Sequence, residues 1–131
     1  MSTEPDMMFC PWESIRSGRV QYIEKARGSG RFIEVRGAPD LVVEVISRSS
    51  VRKDHVELTK RYFKAGVQEY WTIDGRGKTI DFRVLTRGPR KFKRVAAEPD
   101  GYLHSAVLGG SFLVTRERNE LDHWEYRLLS R

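Results

Sequence analysis

Leu41-Val42-Val43-Glu44-Val45-Ile46, preceded by Gly37-Ala38-Pro39-Asp40 and followed by Ser47, is the most strongly strand-forming stretch of the chain. Every residue of the six except Glu44 is aliphatic, and most are β-branched. A near-continuous run of this kind fits a central strand covered on both faces. Pro39 biases Ala38 towards an extended conformation and so fixes the entry to the strand. Alternation places Asp40, Val42, Glu44 and Ile46 on one face. Glu44 is the anomaly, because a lone carboxylate in an apolar strand is costly to bury without a partner or a bound ion.

Downstream, residues 51–65 read as a helix. Ser49 and Ser50 are candidate N-caps, Asp54 lies in the first turn where the helix dipole favours an acid, and Gly66 is a natural stop. Val51, Leu58, Tyr62 and Ala65 share one helical face, which turns Lys60 and Lys64 towards water. Residues 67–73, with Tyr70 and Trp71, read as a second strand that ends at an Asp74-Gly75 turn. Residues 78–86 alternate, with Ile80, Phe82 and Val84 on one side and Asp81, Arg83 and Leu85 on the other. Gly88-Pro89 turns the chain into an extended segment at 91–97, and residues 111–129 read as two extended pieces joined near Asn119 and Glu120. Upstream, residues 6–10 form a short strand and a helical turn starts at Pro11 and ends by Gly18. Extended segments at 20–23 and 32–35 flank a Gly28-Ser29-Gly30 loop. No repeat or linker interrupts the chain. The expected class is α+β, or mixed α/β, with a central sheet flanked by a helix and a strand-rich C-terminal half. One domain spanning residues 1–131 accommodates all of it.

Composition narrows the function classes. No apolar run approaches the ~20 residues that cross a bilayer. The first six residues carry two acids and no base, unlike a secretory leader. Cys10 is the single cysteine, so a disulfide framework and a cysteine-rich zinc site are excluded, and His55, His104 and His123 show no ligand spacing. These features fit a cytoplasmic protein with no membrane partner. There are 24 Lys and Arg against 18 Asp and Glu, a formal charge of +6. The excess is concentrated in residues 82–97, which contain Arg83, Arg87, Arg90, Lys91, Lys93 and Arg94 and no acid. A basic hairpin suits a polyanion such as DNA, and it equally suits a solvated edge kept soluble by its charges.

The acids supply the chemistry. Asp40 and Glu44 lie four residues apart on one strand face, about 13 Å, too far to share one ion. Asp6, on a neighbouring strand, can approach Glu44 more closely. Carboxylates gathered on a sheet form a hard oxygen site of the kind Mg²⁺ prefers, and such an ion activates water and neutralises charge on a phosphodiester. The bland alternative has Asp6 and Asp40 ending turns and Glu44 paired with a base.

The stretch 37–47, together with Asp54, Tyr62, Ala65-Gly66-Val67 and Glu69-Tyr70-Trp71-Thr72-Ile73-Asp74, resembles the Uma-two family of restriction-endonuclease-like proteins. Glu4-Pro5-Asp6-Met7-Met8-Phe9 is similar to that family's earlier Pro-Asp strand. The family belongs to the PD-(D/E)xK nuclease superfamily, so the resemblance implies Mg²⁺ (or Mn²⁺) binding and DNA cleavage. By position it makes Asp6 the metal-binding Asp of the first motif, Glu44 the acid of the second, and Asp40 a supporting acid at the site or the strand end. Arg90, Lys91, Lys93 and Arg94 are the candidate DNA contacts.

Two departures from that pattern stand out. The motif lysine position, two residues after Glu44, is Ile46, and the alternative helical position is Leu58. Lys53 and Lys60 are the remaining basic candidates. Relatives also carry a longer N-terminal helical part, which this chain is expected to lack. Two functions therefore stay open: a Mg²⁺-dependent endonuclease, and a catalytically impaired nuclease fold acting as a nucleic-acid-binding or homodimeric scaffold.

Overall fold

The computed structural model describes residues 5–24, 32–46 and 55–131. Three strands, β1 (Met7–Phe9), β2 (Gln21–Glu24) and β3 (Phe32–Arg36), and the short helix α1 (Trp12–Arg16) precede the central strand β4 (Leu41–Ile46). The long helix α2 (His55–Ala65) leads into β5 (Glu69–Asp74), and β6 (Asp81–Arg87) and β7 (Phe92–Arg94) form a hairpin after it. The tail contributes β8 (Leu103–Ser105), β9 (Gly110–Arg118) and β10 (Trp124–Ser130). The main sheet has the order β1-β4-β5-β6-β7, a second sheet is β10-β9-β8, and β2 pairs with β3 alone. Among these pairs β4–β5 is parallel and the others are antiparallel. A parallel neighbour needs a crossover, and α2 lies within it. The architecture is α+β with a mixed sheet, as the order of patterns in the sequence implied.

The two faces of the main sheet bury different things. One face joins Leu41, Val43, Trp71 and Val84 to Leu103 of the second sheet, with Phe112 packed beside them. The other joins Val42, Tyr70 and Phe92 to Tyr62 and Val67, under α2. β4 is an interior strand, between the edge strand β1 and the middle strand β5, and is covered on both sides from Leu41 to Glu44, but Val45 is exposed and Ile46 is only half-buried. Its closing residues lie beyond the cover that the continuous apolar run suggested. The two extended tail pieces are β9 and β10, and they pair antiparallel, while β8, with only three residues, was too short to show a period in the sequence.

The helix differs in detail from its sequence pattern. Its described part begins at His55, and the expected caps Ser49 and Ser50, together with Val51, Lys53 and Asp54, lie outside the described residues, as does the Gly28-Ser29-Gly30 loop. Tyr62 is fully buried and Leu58 packs at the edge of the same cluster, but Ala65 is exposed. Phe63 takes its place in the cluster, meeting Phe92 edge-on with ring centroids 5.3 Å apart. α2 ends at Gly66, whose φ of +100° suits a residue without a side chain. Lys60 and Lys64 are exposed, as the helical wheel required.

A buried acid ties the two sheets together. Glu69 opens β5 and is 1% exposed. It accepts hydrogen bonds from Trp71 Nε1 (2.9 Å), Ser105 Oγ (2.5 Å) and the Ala106 backbone N–H (3.0 Å). Three donors converging on one carboxylate offset the loss of water around it.

Candidate functional site

Glu44 has no exposed surface, and its side chain lies on the α2 face of the sheet with Val42. The Tyr62 hydroxyl donates to Glu44 Oε1 at 2.5 Å. The wheel identified Tyr62 as a core residue, and its hydroxyl is the polar handle that lets a carboxylate enter that core. The sequence signal for this was available, since a tyrosine rather than a leucine occupies the buried stripe opposite the anomalous acid.

Asp6 approaches from the adjacent strand. β1 pairs with β4 in the register Met7↔Val43 and Met8↔Val42, so Asp6, one residue earlier, stands opposite Glu44. Its Oδ2 accepts a hydrogen bond from the Val45 backbone N–H at 2.8 Å, fastening the edge of the sheet beside Glu44. Tyr70 reports on both acids. Burial, and then the negative charge of Glu44, push the Tyr70 hydroxyl up to about 12, with Thr59 opposing and Asp6 adding a smaller push. Both carboxylates therefore lie within electrostatic reach of one buried hydroxyl.

The other candidate acids and bases are placed elsewhere. Asp40 sits at the start of β4, where its Oδ1 accepts from Ser14 Oγ (2.9 Å) and from Arg19 Nη2. Lys60 is exposed on α2, Leu58 packs into the apolar cluster, and Ile46 occupies the place two residues beyond Glu44. Arg90, Lys91, Lys93 and Arg94 are all exposed around the β6–β7 turn. That turn lies at the end of the sheet where Leu41 and Glu69 begin their strands, three residues, or about 10 Å, along the strands from the level of Glu44. Arg87 does not join this surface. Its guanidinium stacks 4.0 Å from the Phe63 ring centroid and donates to the carbonyls of Val67 (3.0 Å) and Phe63. It locks the end of α2 to the sheet.

The donor set suits a small hard cation. Among the described residues no cluster of three or more His, Cys, Asp or Glu side chains forms. A pair of carboxylates is nonetheless what Mg²⁺ ordinarily takes from a protein, the remaining positions being filled by water and substrate oxygens. A groove of about 960 Å³ lies on the opposite face between Met7, Val43, Trp71, Trp124 and Leu128, with Arg76, Lys78, Arg118 and Arg127 also in its lining. Neither Asp6 nor Glu44 lines it.

A mixed sheet carrying an acid on its central strand and a second acid from the flanking strand is a restriction-endonuclease-like domain. The family model "Uma2: Putative restriction endonuclease" matches residues 2–113, and the chain belongs to that family. The latter part of β9 and all of β10 fall outside the match. No curated protein matches the chain. Membership implies a nuclease-like function on a nucleic-acid substrate, in a family type that generally uses divalent metals. No helix among the described residues is long and apolar enough to cross a membrane.

Proposed function

We propose that the protein is a Mg²⁺-dependent endonuclease that hydrolyses DNA phosphodiester bonds, Mn²⁺ serving in place of Mg²⁺. The observation that carries this reading is the fully buried Glu44 on β4 with Asp6 opposite it in register, the two acids that the family resemblance proposes as metal ligands. When bound there, the ion would lower the pKa of a coordinated water and neutralise charge on the phosphate. Asp6 and Glu44 would hold it. Tyr62 fixes the Glu44 carboxylate against α2, and the Val45 N–H orients Asp6. Asp40 supports from the strand end, where Ser14 and Arg19 hold it and anchor α1 to β4. Arg90, Lys91, Lys93 and Arg94 supply phosphate contacts distant from the acids, which position a duplex without reading its sequence.

A second reading rests on one specific observation. With Ile46 and Leu58 at the lysine positions and Leu58 packed in the core, the motif cation is missing from both expected places. A nuclease fold without it binds nucleic acid but turns over slowly. Calorimetric titration with Mn²⁺ and plasmid nicking in Mg²⁺ separate the readings. The endonuclease binds one ion and nicks, and Glu44→Ala and Asp6→Asn lose both properties. Mn²⁺ binding and duplex binding without nicking favours the scaffold, and equal Mn²⁺ binding by wild type and Glu44→Ala removes Glu44 as a ligand.

A further inference from the structure

The cross-strand register extends one row beyond the acids. Glu44 on β4 pairs with Thr72 on β5, and Thr72 pairs with Arg83 on β6. Paired residues point to the same face, so Glu44, Thr72 and Arg83 form one row on the α2 side, with Arg83 two strand spacings, about 10 Å, from Glu44. α2 does not cover the far end of this row. Its last turn packs at the other end of β6, where Phe63 meets Phe92 of β7 and the Arg87 guanidinium. The Arg83 side chain is accordingly 46% exposed, at the open margin of a row that begins with a buried carboxylate.

Arg83 is already held in the geometry that receives an oxyanion. Its Nε and Nη2 donate to the two oxygens of Asp81 at 3.0 and 2.9 Å, a parallel two-point contact. Asp81 is itself 44% exposed, so water competes for the pair and its contribution to stability is small. A phosphate presents the same two-oxygen edge with greater charge, and the guanidinium fork matches it. Lys60, the nearest lysine on α2, is turned to solvent. Among the described residues Arg83 is the base that shares both the face and the row of Glu44.

We infer that Arg83 is the phosphate-binding cation of this site, engaging the scissile or an adjacent phosphate of a nucleic-acid strand laid over Thr72, with Asp81 holding its fork until the strand arrives. This rests on the endonuclease reading of Asp6 and Glu44, and supplies from β6 the positive charge that the motif positions lack.

The test uses the full chain and a short DNA duplex, with wild type, Arg83→Gln, Arg83→Lys and Asp81→Asn. Duplex affinity is measured without divalent ions at several salt concentrations, cleavage in Mg²⁺, and Mn²⁺ binding by calorimetry. Arg83→Gln is expected to lower the log–log salt slope by about 0.9, one phosphate contact. It should also slow cleavage roughly a hundred-fold, the scale of losing one oxyanion donor, while leaving Mn²⁺ binding and the thermal midpoint in place. Arg83→Lys should keep the slope, since the charge remains, and lose cleavage rate because the fork is gone. Asp81→Asn should tighten duplex binding by releasing the guanidinium. A wild-type slope and wild-type cleavage in Arg83→Gln would overturn the inference while Mn²⁺ binding leaves the carboxylate site standing. Absence of Mn²⁺ binding in the wild type itself would instead overturn the carboxylate reading, a result read independently of the slope.

Discussion

Tyr62, near the C-terminal end of α2, donates its hydroxyl hydrogen bond to Oε1 of Glu44 on the central strand, and both side chains are fully buried. The helix thus contributes apolar surface and the polar contact that makes a buried acid tolerable. Hydrogen bonds to charged groups contribute more than neutral ones, about 1.5–3 kcal/mol. Tyr62→Phe should therefore lower the free energy of unfolding by about 1–3 kcal/mol in urea titrations near neutral pH. Lys60→Ala, on the exposed side of the same helix, should change it by less than about 0.5 kcal/mol. Equal effects from the two would mean that the Tyr62–Glu44 bond contributes nothing to stability.

Tyr70 sets an alkaline limit. Its hydroxyl is pushed up to about 12 in the folded chain by burial and by the charges of Glu44 and Asp6, against 10 for an unperturbed tyrosine. Between those values the folded state binds more protons than the unfolded one at this position, so stability falls as pH rises. The contribution is fully present below pH 10 and lost as pH passes through about 12. Tyr70→Phe should flatten that part of the stability–pH curve. Denaturant midpoints collected from pH 7 to 12 for both proteins give the comparison.

Glu69 and Ser105 join the sheets. Ser105→Ala removes one of the three donors to a buried carboxylate, and also the acceptor of the Leu108 N–H. A loss of about 1–3 kcal/mol is expected. Glu69→Ala should cost more, since Trp71 Nε1, Ser105 Oγ and the Ala106 N–H all lose their acceptor inside the protein. If chemical denaturation ranks the two variants the other way, the carboxylate is not the centre of this contact.

The basic residues divide into two kinds. Arg87 is a packing residue, and Arg87→Ala should destabilise by about 1–3 kcal/mol through lost stacking and the loss of its hydrogen bonds to the Val67 and Phe63 carbonyls, with little dependence on salt. Arg90, Lys91 and Lys93 are exposed, and replacing all three with serine should leave the thermal midpoint nearly unchanged. If they contact DNA, the triple variant should lower the salt slope of duplex binding by up to about 0.9 per residue removed. No duplex binding by the wild type at low salt would make them a solubility and edge-protection device instead.

Much of the fold was legible because local chemistry dictates it. The β-branched run 41–46 can bury both faces only as a central strand, and the four-residue spacing of Leu58 and Tyr62 within a long polar segment ended by Gly66 fits a helix. The alternation of Phe82 and Val84 against Arg83 and Leu85 fixed which residues of β6 share a face, and the structure keeps that split. Glu44 was conspicuous for the same reason, since a charge in such a run demands an explanation. Asp6 was legible only through its Pro-Asp context, because nothing local states which strand β1 joins.

What only the tertiary structure decided is which strands are neighbours and in what register. Arg83 looked like one more charge in a basic hairpin until the β4–β5–β6 register put it in the row of Glu44. Arg87, four residues on, belongs to the same sheet face but turns inward onto Phe63 because the last turn of α2 packs over that end of β6. Ala65 and Phe63 exchanged roles for a similar reason: a helical wheel gives directions about an axis, and the crossing of that axis over the sheet selects which direction meets a partner. Sequence fixes the period of each element, because period is local stereochemistry. Register and crossing are properties of pairs of elements, and they settle only when both are present and packed.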